Sequence, residues 1–256
     1  VIQYCDEVKE DGFDLVDDFS DLFGMNAAGT DAKMRNTKES ILEAQFTSGA
    51  GNWCTWMFGR DLVNWNNNFT WAKWVTPSRD LISAFKQEGD EVRFKESIVY
   101  YDCNWSNYYP SDNYPFMYKC RSANSSIIKY RYADVLLLKA EALIMQDTPD
   151  LEGAADIIDE VRDRAKLGAL PTSVRSNKNV LLNALLKERR LELAFEGQRW
   201  FDLVRLDKVE EVMNAVYAKD SGRKAQIYTF DKNSYRLPIP QSVIDANDKI
   251  HQNPGY

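Results

Sequence analysis

From Glu188 to Leu203 the chain reads Glu-Arg-Arg-Leu-Glu-Leu-Ala-Phe-Glu-Gly-Gln-Arg-Trp-Phe-Asp-Leu, with Asn177 and Asn179 upstream as candidate caps and Gly197 as the break. Asparagine accepts hydrogen bonds from the first free amides of a helix and glycine ends one, so the run predicts a helix from those asparagines to about Phe195. Within it Glu188, Glu192 and Glu196 fall at i, i+4 and i+8 and share a face. Like charges so placed repel by about 0.2–0.5 kcal/mol per neighbouring pair unless cations intervene. The arginines at hand are Arg189, Arg190 and Arg199, with Arg162 and Arg164 in the segment before. The expected structure is a seam of buried ion pairs where helices meet, its carboxylates held ionised by guanidinium groups.

Upstream, Ala133, Leu137, Ala140 and Ile144 recur at i, i+4, i+7 and i+11, and Ala154, Ile158, Val161 and Ala165 repeat that spacing beyond Pro149. Small residues on the inner face let two such helices approach closely, and the pair resembles one tetratricopeptide-type hairpin. Leu167-Gly168 followed by Pro171 stops the second helix. Nearer the start, Val1 to Glu10 reads as helix broken at Gly12. A second short helix carries Leu15, Phe19, Leu22 and Phe23 up to Gly24, and Ile41 to Phe46 reads as extended. Asp80 to Lys86 predicts a short helix and Val92 to Tyr101 a strand, and the chain beyond Met213 predicts short strands and turns around the extended Leu237-Pro-Ile-Pro240. The fold class is mostly α, with irregular loops and a few short strands.

Six of the seven tryptophans lie between Trp53 and Trp105, interleaved with Asn64, Asn66, Asn67 and Asn68, and no helix or strand period persists there. A sugar ring offers an apolar C–H face and a hydroxyl edge, so its site needs flat aromatics beside short amide and carboxylate side chains. Trp65, Asn66, Asn67, Trp71 and Trp74 supply that mixture in one stretch, and Trp105, Tyr108 and Tyr109 in a second. The competing reading of each ring is that it anchors a long loop to the body.

The 256 residues carry 32 Lys+Arg against 39 Asp+Glu, a net charge of −7, which argues against a nucleic-acid partner. The longest apolar run, Val135 to Met145, is interrupted by Lys139 and Glu141, so no segment reads as membrane-spanning. A single histidine, His251, excludes a multi-histidine zinc site, and Cys5, Cys54, Cys103 and Cys120 form no CxxC pair. Asp61, Asp102, Asp112 and Asn113 match no calcium-loop spacing. No cofactor and no metal is expected.

Four runs in order, Arg131-Tyr-Ala-Asp-Val-Leu-Leu-Leu-Lys-Ala-Glu-Ala-Leu143, Val161-Arg-Asp-Arg-Ala165, Glu188 to Leu203, and Leu237-Pro-Ile-Pro-Gln241 with Gln252-Asn-Pro-Gly-Tyr256, closely resemble the C-terminal half of the SusD/RagB family. The resemblance implies tetratricopeptide-type helical hairpins packed against a loop-rich region. It implies residues 1–24 as the end of an N-terminal helical region, 25–128 as an aromatic-rich loop region, and 129–256 as the helical core and C-terminal segment. It further implies a surface-exposed lipoprotein of the bacterial outer membrane that binds oligosaccharides, or in some members peptides, as a lid on a SusC-type TonB-dependent transporter. Membrane attachment would run through a lipid anchor that this stretch of chain does not carry.

A glycan-degrading enzyme is the less favoured of two alternatives, raised because glycosidases use paired carboxylates about 5–9.5 Å apart. The Glu188, Glu192 and Glu196 row is set aside for that role, because a general acid needs a raised pKa and the neighbouring arginines favour ionisation. The second alternative is a peptide- or protein-binding helical-repeat module, which would bind on its concave helical face rather than through loop aromatics.

Overall fold

The computed structural model describes residues 1–47, 76–102, 109–220 and 229–256. The chain forms two compact units, Val1–Gly197 and Gln198–Tyr256.

The first unit is built on α5 (Tyr132–Met145), α6 (Leu151–Arg164) and α8 (Lys178–Glu192), with α1 (Ile2–Glu10) laid against α5 and a single turn, α7 (Thr172–Arg175), beside α8. The periodic residues do what their spacing predicts: Ala133, Leu137, Ala140 and Ile144 are wholly buried against Ala154, Ile158 and Val161, and Leu181 and Leu185 close the core from α8. Burial of each Leu or Ile side chain contributes about 1.5–3 kcal/mol. Asp150 caps α6 by accepting from the Gly153 amide at 2.9 Å, and Asn177 caps α8 by accepting from the Asn179 and Val180 amides. Glycine at 153 leaves room for that cap, since a Cβ there would stand 2.4 Å from an Asp150 carboxylate oxygen and displace it.

Against this bundle lie α2 (Ser20–Phe23), α3 (Arg79–Glu88), α4 (Glu91–Ser97) and four short strands. β1 (Ser40–Ala44) pairs antiparallel with β4 (Ile127–Arg131), and β2 (Ile98–Tyr101) with β3 (Tyr114–Met117). Three expectations need correction here. Val92 to Ser97 is helix rather than strand, because Asp90 accepts from the Arg93 amide and starts a turn that runs directly into β2. Leu15 lies outside any helix, and only Ser20–Phe23 of that segment is helical. β3 and β4 occupy stretches that showed no strand signal in sequence, and β4 passes into α5 without a loop, Tyr132 donating its amide to the Glu39 carbonyl at 2.9 Å.

The second unit comprises α9 (Arg199–Arg205), α10 (Val209–Lys219), a 3₁₀ turn at Lys232–Tyr235 and α11 (Gln241–Ala246). Among its described residues there is no strand, contrary to the expected strands and turns. Its irregular end is held by side-chain amides acting as a substitute strand: Gln252 both accepts from the Ile239 amide and donates to the Ile239 carbonyl, and Asn253 donates to the Leu237 carbonyl. Prolines at 238 and 240 leave that segment short of backbone donors, which is why amide side chains hold it in place of a partner strand.

Candidate functional site

The acidic row of α8 lies at the centre of a buried charge hub. Arg131, at the end of β4, donates to Glu39 at 2.6 Å, to Glu192 at 2.5 Å and to both Glu196 oxygens at 2.7 and 2.9 Å. Arg164 from α6 reaches Glu39 at 2.9 Å and also Glu192. Arg93 from α4 holds Asp90 at 2.5 Å, Glu188 at 2.6 Å and Glu192 at 3.0 Å. Lys119 donates to the Glu192 carbonyl at 2.9 Å and to Glu196 at 2.6 Å, and the Phe19 ring lies under Lys119, Arg131 and Arg164. Glu39, Arg93 and Glu192 are each 0% exposed.

The expected partners Arg162 and Arg164 are present, Arg162 reaching Glu188 at 3.2 Å. Arg189 and Arg190 instead turn to Asp134 at 2.8 Å and Asp80 at 2.5 Å. On one helix they point away from the face their glutamates share. Arg93, Arg131, Lys119 and Glu39 were not singled out in the sequence; the only local signal was the Asp90-to-Arg93 spacing of i, i+3.

The hub polarises its members unequally. Burial opposes ionisation of Glu192, yet Arg164, Arg131 and Arg93 hold its carboxyl well below the usual range, and Arg131 and Lys119 hold Glu196 low in the same way. Glu188 departs from the expectation that the whole row stays easily ionised: burial pushes its carboxyl up against the pull of Arg93 and Arg162. Carboxyls pushed in opposite directions are the pattern of an acid–base pair. Chemistry there would need access, and a cavity of about 430 Å³ beside the hub is walled by Lys119 and Glu196 together with Phe23, Met117, Ile128 and Phe195, not by Glu188 or Glu192. Among the described residues no group of three or more His, Cys, Asp or Glu side chains is arranged to hold a metal ion.

Of the aromatic and amide residues expected to bind sugar, Trp65, Asn66, Asn67, Trp71, Trp74, Trp105 and Tyr108 lie outside the described residues. Tyr109 lies within them. Its hydroxyl donates to the Pro77 carbonyl at 2.7 Å, its ring stands edge-on to Tyr114 with centroids 5.7 Å apart, and the Arg79 guanidinium covers it at 4.8 Å. One residue before Pro77, the Thr76 and Tyr114 hydroxyls share a hydrogen bond of 2.5 Å. Tyr114 in turn faces Tyr101 across the β2–β3 pair. The end of the hairpin thus gathers Thr76, where residues 48–75 rejoin the described chain, with Tyr101 and Tyr109, between which residues 103–108 run.

The family profile of SusD matches residues 118–256, more than half of the chain. The chain belongs to the SusD family. SusD-like protein P38 of Formosa agariphila is 43% identical over 99 residues, which is 36% of this chain and 19% of that protein. SusD-like protein P2 of the same organism is 36% identical over 143 residues, 53% of this chain and 27% of that protein. The solved structure of surface glycan-binding protein A from Bacteroides thetaiotaomicron in complex with laminarihexaose superposes with a TM-score of 0.71 at 19% identity, over 98% of this chain and 58% of that one. The chain therefore spans well under two thirds of the SusD-like proteins it matches, and the superposition establishes the SusD-like, mostly helical fold with few short strands.

Proposed function

We propose that this SusD-family chain is part of a non-catalytic glycan receptor that holds oligosaccharides at the bacterial cell surface for a SusC-type TonB-dependent transporter. Its place would be the outer membrane, reached through a lipid anchor. The observation that carries the reading is the hairpin end: the last end of residues 48–75 and both ends of residues 103–108, stretches holding six of the seven tryptophans, adjoin Tyr101, Tyr109 and Tyr114. Rigid rings lose little conformational entropy on binding, which suits a ligand that offers few charges. The complex of a SusD-like neighbour with laminarihexaose supports the ligand class. The absence of an enzymatic role is supported by Glu188, the one carboxyl of the row pushed up as a general acid would need, which is locked in ion pairs with Arg93 and Arg162 and does not line the cavity. In this reading Trp65, Asn66, Asn67, Trp71, Trp74, Trp105 and Tyr108 supply the sugar platform.

Affinity electrophoresis of the full-length protein against a panel of polysaccharides tests it. Retardation by at least one glycan without release of reducing ends is expected. Trp65→Ala, Trp71→Ala or Trp74→Ala should weaken it, and undiminished binding by all three folded variants would move the platform to Trp105 and Tyr108.

A further inference from the structure

We infer that the cavity beside the charge hub is a site for a small organic anion, a carboxylate whose apolar tail enters the cavity while its head meets Lys129. The inference needs nothing from the glycan-binding reading, because every residue that carries it belongs to the described part of the first unit. The cavity, about 430 Å³, falls within the range of about 300–1,000 Å³ that holds small ligands. Phe23, Met117, Ile127, Ile128 and Phe195 supply its apolar wall, and the successive residues Ser126 to Lys129 all touch it. Neighbouring side chains of a strand point to opposite faces, so a space that meets all of them runs along the edge of β4, the edge not paired with β1.

Charge selects the ligand. Inside the cavity the polar groups serve one another: both Glu196 oxygens accept from Arg131, Lys119 donates to one of them at 2.6 Å, and the same ammonium donates to the Glu192 carbonyl and lies over the Phe23 ring at 4.7 Å. Lys129 at the mouth differs. It is exposed, and among the described residues no carboxylate pairs with it. The backbone puts it there: Leu42 faces Tyr130 and Glu43 faces Ile128, so Lys129 is the extra residue of a β-bulge, a device that re-aims a side chain. A bulge carrying a lysine also blunts a strand edge against pairing, which argues against an added peptide strand as occupant and for a compact molecule. The opposite wall is strained. Phe195 has φ +67°, a left-handed conformation unfavourable for a bulky side chain, and with Gly197 at +85° it turns the chain after α8 so that Phe195, Glu196 and Gly197 all line the cavity.

The test uses the full-length protein with methyl-labelled methionine and hexanoate as the probe. Met117 lies in the cavity wall, so its methyl resonance, assigned with Met117→Leu, reads occupancy directly. Hexanoate should shift that resonance with a Kd of about 0.1–1 mM, hexanol should bind several-fold more weakly, and hexylamine should leave it unmoved. Lys129→Gln, an exposed substitution, should weaken hexanoate about two- to fivefold, the range of an exposed ion pair, and leave hexanol unaffected. Ile127→Trp, which fills the cavity, should abolish the shift with either compound. A Met117 methyl unmoved at about 10 mM hexanoate overturns the site, as does a shift that survives Ile127→Trp. Hexanol bound as tightly as hexanoate, or hexanoate bound as tightly by Lys129→Gln as by wild type, overturns the assignment of the ligand as an anion.

Discussion

Glu192 receives Arg131 and Arg164 on one carboxylate oxygen and Arg93 on the other, with no exposed surface of its own. Its removal leaves three guanidinium groups in the interior with fewer carboxylates than they need. Glu192→Ala is therefore expected to lower stability by about 3–5 kcal/mol, read as a shift of the urea midpoint, and an unchanged midpoint would refute the hub's role. Lys119 carries the opposite kind of burden. Burial brings its ammonium down to about 8, against the attraction of Glu196. Between pH 8 and the unfolded lysine's pKa of about 10.4, the unfolded chain binds more protons than the folded one, so this group's contribution to stability rises with pH in that window. The stability of wild type relative to Lys119→Met should accordingly grow from pH 8 to 10; a flat or falling difference would mean that Glu196 holds the ammonium charged throughout.

At the scale of elements, the cap of α6 offers a sharp test. Gly153→Ala places a methyl group against the Asp150 carboxylate, which must swing away and release the amide it caps. Release of the cap costs about 1–2 kcal/mol and alanine returns about 1 kcal/mol over glycine within a helix, so the net loss should be about 0–1 kcal/mol by thermal melting, and Gly153→Ala should turn stabilising in the Asp150→Ala background, where no carboxylate is left to displace. Elements with a persistent period were legible in the sequence: Ala133 through Ile144 and Ala154 through Ala165 predicted the two core helices and the face each buries. What misled was any place where two elements abut without punctuation. Val92 and Phe94 read as strand because Ile98, Val99 and Tyr100 follow at once, and the capping role of Asp90 was masked by that β-branched company. β4 was lost for the same reason, since Ile127 to Arg131 runs straight into α5. The hub's acidic face and its partners Arg162 and Arg164 were legible, the face from its spacing of four, whereas Arg131, Lys119 and Arg93 come from 61, 73 and 99 positions away, a pairing that no local pattern encodes. The hydroxyl contacts of Tyr109 and Tyr114 were invisible because an aromatic-rich stretch shows which rings are present and not which hydroxyls meet.

For the molecule as a whole, the hub ties the turn before β1, the α3–α4 turn, β4, α6 and α8 into one knot, with Glu39 and Arg164 separated by 125 positions in sequence. Contacts so distant form only after much of the chain has been ordered, which favours cooperative unfolding of residues 1–197 over piecemeal loss of helices. Hydrogen exchange should therefore show amides of α5, α6 and α8 opening together, and Glu192→Ala should speed all three by a common factor; acceleration confined to α8 would mean that the knot is only local. Because these charges are buried, about 1 M salt should restore little of the variant's lost stability, in contrast to the exposed cluster of Arg175 with Glu152 and Asp156, which salt screens.

The β2–β3 hairpin runs from the hub to the Tyr109 and Tyr114 contacts. Its first residue follows the helix that carries Arg93, and its last pair is Tyr101 and Tyr114, a distance of about 10–13 Å for a four-residue strand. The buried charge hub thus holds one end of a short spacer, and the hydroxyl contacts of Tyr109 and Tyr114 hold the other.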